Sequence, residues 1–348
     1  MSSSMTDQPM PETASKPPPG ITGTGLSAGA GFWAILLPVV AVLATVPLLS
    51  GGYATVLLIE VMIFGILATG LNFLLGHMGY VSFCQGAFLG CGAYFTAVAT
   101  LFWGWPVWAA MAAAVAAAGL VALLIGMFVM RTRSIQFLLI TLAFGEMFHT
   151  AAIKVRATGG DDGMRGIPRL DLSALGLEAR DDSVFFVVVL VVFAAAMIAL
   201  KLLTVSRFGR IVAGIRESET RMRSLGYETW GYRVAAFAVA GLFGGLAGAL
   251  WAQYARFVNP ELMTWQISGE ALLMVIIGGT RNFFGPFLGA LFFVLAKAWL
   301  ATVTDAYLIV FGLLFVLVVA FLEGGISGLL GRFLRLGRRQ AGRIGGEA

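Results

Sequence analysis

Apolar residues in this chain come in long runs and not in alternation. Stretches near 32–50, 53–75, 107–130, 135–153, 183–205, 234–257 and 306–322 each approach the roughly 20 residues an α-helix needs to cross about 30 Å of hydrocarbon. Three more, near 81–101, 268–280 and 284–301, are short or interrupted by glycine. The pattern predicts an all-α protein, a polytopic transmembrane helical bundle of about ten spans, some of them short or broken.

Composition agrees. Hydrophobic residues make up 59% of the 348 and charged residues only 12%, about half the charged share usual for a soluble domain. The net charge of +5 could speak for nucleic acid, but the basic residues are distributed by membrane side, and no nucleic-acid partner is expected. Threading the spans from a cytoplasmic N-terminus places fifteen basic residues on one side and six on the other, so the positive-inside rule puts both termini in the cytoplasm. Residues 1–31, rich in Ser, Pro, Gly and Thr, read as a disordered cytoplasmic lead, 32–331 as the transmembrane domain, and 332–348 as a basic cytoplasmic tail.

Within the transmembrane domain one cytoplasmic loop, 206–233, stands out as a charged island, "GRIVAGIRESETRMRSLGY". At 100° per residue, Ile211, Ile215, Ser218, Met222 and Leu225 share a stripe, which predicts a short amphipathic helix. Glu217 to Arg221 and Glu219 to Arg223 are i,i+4 pairs, each worth about 0.3–0.5 kcal/mol. Gly226 stands where a helix C-cap belongs. Such a helix can lie among lipid head groups or dock into a groove of a cytoplasmic partner, and the physics of the stretch fits both.

Other segments carry chemistry inside the bilayer. "GHMGYVSFCQGAFLGCGAYFTA" is too polar for a lipid-facing span. Gly86 and Gly90 let another helix approach, while Ser82 and Gln85 need partners away from lipid and are candidates for a translocation path. Its "GAFLG" echoes "GPFLG" at 285–289, with both expected to begin at the cytoplasmic face. The intramembrane ionisable residues are Glu60, Glu146, His149, Glu270 and Lys297. Glu146 and His149, three apart, can face each other as a structural hydrogen bond or a proton relay, and Glu146 joins the path candidates. The extracytoplasmic loop 154–182 contains "TGGDDGMRGIP"; Gly159, Gly160, Asp161, Gly163 and Arg165 form a candidate docking surface for a soluble protein.

Two cysteines seven residues apart and two histidines offer neither a disulfide nor a metal-ligand spacing, so no metal site is expected. A phosphate-binding P-loop needs G-x-x-x-x-G-K-[ST], and none of Lys16, Lys154, Lys201 and Lys297 follows a glycine. No cofactor is therefore expected on this chain. A membrane enzyme is excluded by the lack of clustered cytoplasmic acids, a metal set or a Ser/His/Asp arrangement.

The stretch "AGIRESETRMRSLGYETWGYRVAAFAVAGLFGGLAGALWA" resembles LivM-type permeases of the branched-chain amino-acid ABC importer family. Three further stretches agree in order: "GLNFLLGHMGYVSFCQGAFLGCGAY" at 70–94, "TGGDDGMRGIP" at 158–168 and "LLMVIIGGTRNFFGPFLGA" at 272–290. The resemblance covers about 53–331. It implies a multi-pass permease of the bacterial inner membrane that moves branched-chain or related small amino acids, with urea or short amides as the alternative cargo. It further implies two ATPase subunits that use the ATP, a second, LivH-type permease and an extracytoplasmic solute-binding protein. The island would then be the ATPase-coupling helix, with Glu219, Leu225 and Gly226 carrying the pattern, Arg216 and Glu217 flanking it, and Arg221 within it. Thr220, Arg221 and Met222 depart toward bulk from the family's smaller residues, and Arg165 stands where a small residue is expected. A self-sufficient proton-coupled carrier using Glu146 or Glu60 is the alternative of another class, although it gives the charged island no task.

Overall fold

The computed structural model describes residues 25–49, 52–132, 135–170, 182–280 and 282–303, together with the single positions 309, 310, 312 and 325. Most of the N-terminal lead, the expected span at 306–322 and the basic tail lie outside the described residues. The helices are α1 (Gly25–Leu49), α2 (Gly52–Asn72), α3 (Gln85–Leu101), α4 (Val107–Val129), α5 (Ile135–Lys154), α6 (Asp182–Val205), α7 (Arg207–Glu217), α8 (Glu219–Ser224), α9 (Thr229–Ala255), α10 (Trp265–Gly278) and α11 (Gly285–Val303). Two short strands, β1 (Met164–Arg165) and β2 (Phe257–Val258), pair antiparallel. The chain divides after Val42 into a first unit, which holds most of α1, and a second that contains the bundle described below.

Among the described residues six helices are long and apolar enough to cross a membrane: α2 with its continuation to Met78, α4, α5, α6, α9 and α11. All six fall on predicted runs. At 14 residues, α10 is shorter than a full span. The run predicted at 81–101 becomes a helix only from Gln85, because a π-helical turn over Phe73–Met78 ends in Gly79, whose φ of 80° stops the helix.

The core is a tight contact of α3, α4 and α9, with α2 packed against α6, α9, α10 and α11. Small residues make this possible. On α9, Gly241 and Gly245 sit against Ala122 and Ala118 of α4, and Gly248 sits against the backbone of α3 at Leu89; a methyl group at any of the three would collide with its neighbour. Such seams bring backbones into van der Waals contact, which drives helix association where lipid supplies no hydrophobic force. Phe73, Phe88, Phe137 and Phe237 fill the space beside the seam, with Phe88 and Phe237 edge to face at 5.4 Å.

The bundle has two ends. At the island end lie Gly76 to Tyr80, α7, α8 and the start of α9, with Thr280 close to Gly76. The loop end carries residues 155–170 and the turn from Arg256 to Thr264. The sequence echo opens a helix in both places, but at different depths. Gly285 begins α11 beside Gly278 and Gly279, whereas Gly86 lies against Thr264 and Ser268. α3 and α11 therefore do not begin at one level, contrary to the expectation from the echo; residues 79–84 lead from the island end to the start of α3.

Candidate functional site

The island does not form one helix. It breaks at Ser218, whose φ of −161° and ψ of 101° are extended and whose hydroxyl accepts from the Arg221 N–H to cap α8. Serine competes well for helix N-termini, and the acidic Glu219 that follows suits the positive end of the short helix. The predicted stripe is therefore split. Val212 and Ile215 of α7 are buried, while Ile211, Met222 and Leu225 line a groove of about 800 Å³ with Arg207, Phe208, Arg210, Tyr227 and Tyr232.

The end of α8 matches the predicted cap. Tyr227 N–H donates to Met222 O and Gly226 N–H to Arg223 O, a Schellman pair, with Gly226 at φ 86°. Arg216, Glu217, Arg221, Leu225 and Gly226 are exposed on the outer surface of the island. Glu219 turns inward instead. Its Oε1 accepts from Arg223 at 2.7 Å and from the Thr229 hydroxyl at 2.9 Å, and lies 3.5 Å from Arg233.

Arg233, in the second turn of α9 and buried, also donates to the Tyr80 hydroxyl at 3.0 Å. Tyr80 begins the non-helical stretch and packs edge to face on Phe137 of α5 at 4.9 Å. Arg216 donates in parallel to the carbonyl of Gly76 and covers Gly79. Two guanidinium groups thus tie the island to the point where the α2 helix gives way. Sequence reading missed Arg233 and Tyr80, counting the first only as a basic residue of the cytoplasmic side; an arginine one turn inside a span is the signal that could have found it.

Between Gly79, whose N–H still donates to Leu75 O, and Cys84, whose carbonyl accepts from Phe88 N–H, residues 80–83 run through the bundle as non-helical chain. Gln85, where the helix resumes, lies beside Gly244, roughly 22 Å along α9 from Thr229. Non-helical backbone at this depth persists only inside protein. Thr141 of α5 accepts from the Phe83 N–H at 3.2 Å, Ser82 accepts from Cys84 N–H at 3.2 Å, and Ser268 of α10 accepts from Gly86 N–H at 2.8 Å.

These bonds locate the path candidates. Ser82 and Gln85 are fully buried. A Cβ at Gly86 would lie 2.7 Å from Thr264 O, and one at Gly90 would overlap Met263, so both glycines admit the turn that precedes α10. Both polar atoms of the Gln85 side chain lack a protein hydrogen-bond partner. Glu146 is drawn to the start of α10, where its Oε1 accepts from Trp265 N–H at 3.3 Å and its other oxygen lies 3.6 Å from His149 Nδ1. A carboxylate there meets the positive end of the α10 dipole, a structural task for the Glu146 and His149 pair.

At the loop end, Gly159, Gly160 and Gly163 all have positive φ, and Gly163 packs directly on Val258 O. That contact lets Met164 pair with Val258 and Arg165 with Phe257. The Arg165 guanidinium lies 5.2 Å from the Phe257 ring, and Asp161 is exposed nearby in sequence. Further along, Arg169 pairs with Asp182 at 2.7 Å and donates to Gln253 O, whose own side chain accepts from Leu170 N–H. Residues 171–181 of the expected loop lie outside the described residues.

Residues 53–319 match the family described as branched-chain amino acid transport system / permease component. The LivM permease protein of the high-affinity branched-chain amino acid transport system of Escherichia coli is 29% identical over 287 residues, covering 76% of this chain and 68% of that protein. Its Salmonella typhimurium counterpart is 29% identical over 302 residues, 80% of this chain and 71% of that one. A probable LivM permease of Methanocaldococcus jannaschii is 30% identical over 96 residues, 27% of each chain. No solved structure matches. With most of its length matched and six membrane-length helices, the chain belongs to the branched-chain amino acid permease family and is a multi-pass inner-membrane permease subunit of an ABC importer, one member of a larger transport complex.

Proposed function

We propose that the complex is driven by ATP hydrolysed on two separate ATPase subunits, and that this chain, beside a second permease, moves branched-chain amino acids delivered by an extracytoplasmic binding protein. The island end then faces the cytoplasm and the loop end the outside, as the positive-inside tally expects. The observation that carries the reading is the line of contacts from Glu219 through Arg233 to Tyr80. It joins an exposed helix pair to the broken helix at the heart of the bundle. A closing ATPase pair pressing on α7 and α8 would move Arg233 and Arg216, and with them the start of residues 79–84. The groove beside Met222 and Leu225 offers the ATPase an apolar seat rimmed by Arg207 and Arg210.

The test is gentle purification of the tagged chain with identification of what accompanies it, followed by two variants assayed in the recovered complex. Recovery of two P-loop ATPases and a second permease is expected. Gly226→Val forces a β-branched residue to φ 86°, and Glu219→Lys sets a second cation beside Arg233. Each should leave the protein inserted yet uncouple ATP hydrolysis from uptake. Normal uptake in both variants removes the coupling role. A chain that purifies alone and moves solute in a proton gradient replaces the importer with a secondary carrier.

A further inference from the structure

The bundle brings together charged residues that sequence could only name singly. Glu60 of α2, Glu270 of α10 and Lys297 of α11 line one pocket of about 330 Å³ with Glu261 and Asn259 from the turn before α10. The size lies near the lower end of the roughly 300–1,000 Å³ usual for small-molecule sites. Lys297 Nζ lies 3.1 Å from Glu270 Oε1, and Asn259 donates to Glu261 at 2.8 Å. Glu60 shares the pocket with this pair. It sits about 12 Å along α2 from Gly52.

The remaining wall is apolar: Phe64, Trp251, Leu262 and Ile267. The upper wall is Phe257 of β2, which carries Arg165 of the outer loop on its ring at 5.2 Å. Ala255 and Glu261, both exposed, mark the loop end of the pocket. It therefore lies directly beneath the loop on which a binding protein would release its cargo.

Among the described residues no three acids converge as a metal-binding set, and a lysine amid the carboxylates opposes a bare cation. An anion would meet three carboxylates. What complements acid, base and apolar wall together is a small zwitterion bearing an aliphatic group. We infer that this pocket is a receiving site for an α-amino acid, an inference that rests on the proposed import function and names its first station in this chain. Glu60 takes the α-ammonium, Lys297 takes the α-carboxylate by turning from Glu270, and Trp251, Phe64, Leu262 and Ile267 hold the side chain. Glu270 holds Lys297 in place when the pocket is empty of cargo, so neither group is left without its partner in a medium where an unpaired charge is costly.

The experiment uses the intact complex in proteoliposomes with binding protein and labelled leucine. Glu60→Gln and the paired change Glu270→Gln with Lys297→Gln should each lower leucine uptake about tenfold. A purely structural ion pair predicts near-normal uptake in the paired variant, and that result overturns the site, as does normal uptake with Glu60→Gln. Should the charge variants fail to assemble, Ala255→Cys leaves every charge in place. Leucine-loaded binding protein should then slow its reaction with a membrane-impermeant thiol reagent, and unchanged labelling overturns the site. Wild-type complex that takes up no leucine refutes the proposed function itself, an outcome distinct from a wild type that transports and variants that do so equally well.

Discussion

The island end and the loop end are both rich in arginine and glycine, yet they are fastened differently. At the island end the fastenings are long side chains: Arg216 to Gly76, Arg233 to Tyr80, and Glu219 among Arg223, Thr229 and Arg233. At the loop end the side chains of Arg169 and Gln253 hold residues 169–170, but the outer segment 163–166 is fastened backbone to backbone: Met164 paired with Val258, Gly166 N–H donating to Arg256 O, and Gly163 lying on Val258. A side-chain linkage can lengthen or exchange partners without unfolding the segment it holds. A backbone ladder of two residues is formed or lost as a unit. The difference fits one end that must transmit a push and another that must present a fixed surface.

The sharpest way to break this comparison is to remove the residue on which the island end depends. Arg233 is 4% exposed and spends one terminal nitrogen on Tyr80 and places the other near Glu219. Arg233→Met leaves Glu219 with Arg223 and the Thr229 hydroxyl but strips the Tyr80 hydroxyl of its donor, a loss of about 1–3 kcal/mol. The ATP hydrolysed per leucine moved should rise about tenfold, with a lower melting temperature for the complex. Arg233→Lys, which keeps the charge but cannot reach both partners from a planar fork, should assemble normally and still raise that ratio. Wild-type stoichiometry in Arg233→Lys would show that Tyr80 and Glu219 need not be joined.

The next largest effect is expected at the loop end and in a different observable. Gly163 has φ 68° and no room for a Cβ against Val258 O. Gly163→Val adds a left-handed strain of about 1–2 kcal/mol to that collision, so β1 should detach from β2. Binding-protein stimulation should then fall about fivefold or more, while basal ATP hydrolysis and assembly stay unchanged. An equal loss of basal hydrolysis would mean that the two ends are not fastened independently.

How much of this could be read from residues alone follows from which interactions are local. The long runs placed α2, α4, α5, α6 and α11 within about three residues, and α9 with a start five residues late, because a bilayer fixes both length and composition of a span. The cap at Gly226 was legible for the same local reason. Hydropathy does not record where helical backbone stops, so "VSFC" at 81–84 appeared as the start of a short span although the chain after Gly79 is non-helical until Gln85. The break at Ser218 had a signal, a serine followed by glutamate, but the regular apolar spacing on either side outweighed it. Glu270 and Lys297 lie 27 positions apart, and only the packing of α10 on α11 brings them within 3.1 Å. Strands of two residues are too short for any alternation to announce them.

Arg165 should give the smallest effect, and its sign sharpens the comparison most finely. It is exposed and stacks on Phe257, a contact worth about 0.5–1 kcal/mol at such sites. Because β1 and β2 are held by backbone bonds, Arg165→Ala should leave the ladder intact and raise the apparent KM for loaded binding protein only about two- to fivefold. Two origins of that change separate by salt. If Arg165 acts by steadying Phe257 above the pocket, the effect persists in strong salt and Phe257→Leu reproduces it. Were the guanidinium instead a charge partner for the binding protein, the difference between Arg165→Ala and wild type would vanish as ionic strength shortens the Debye length to about 3 Å, and Phe257→Leu would leave KM unchanged. The first outcome is expected, since Phe257 lies in β2 and lines the pocket directly below.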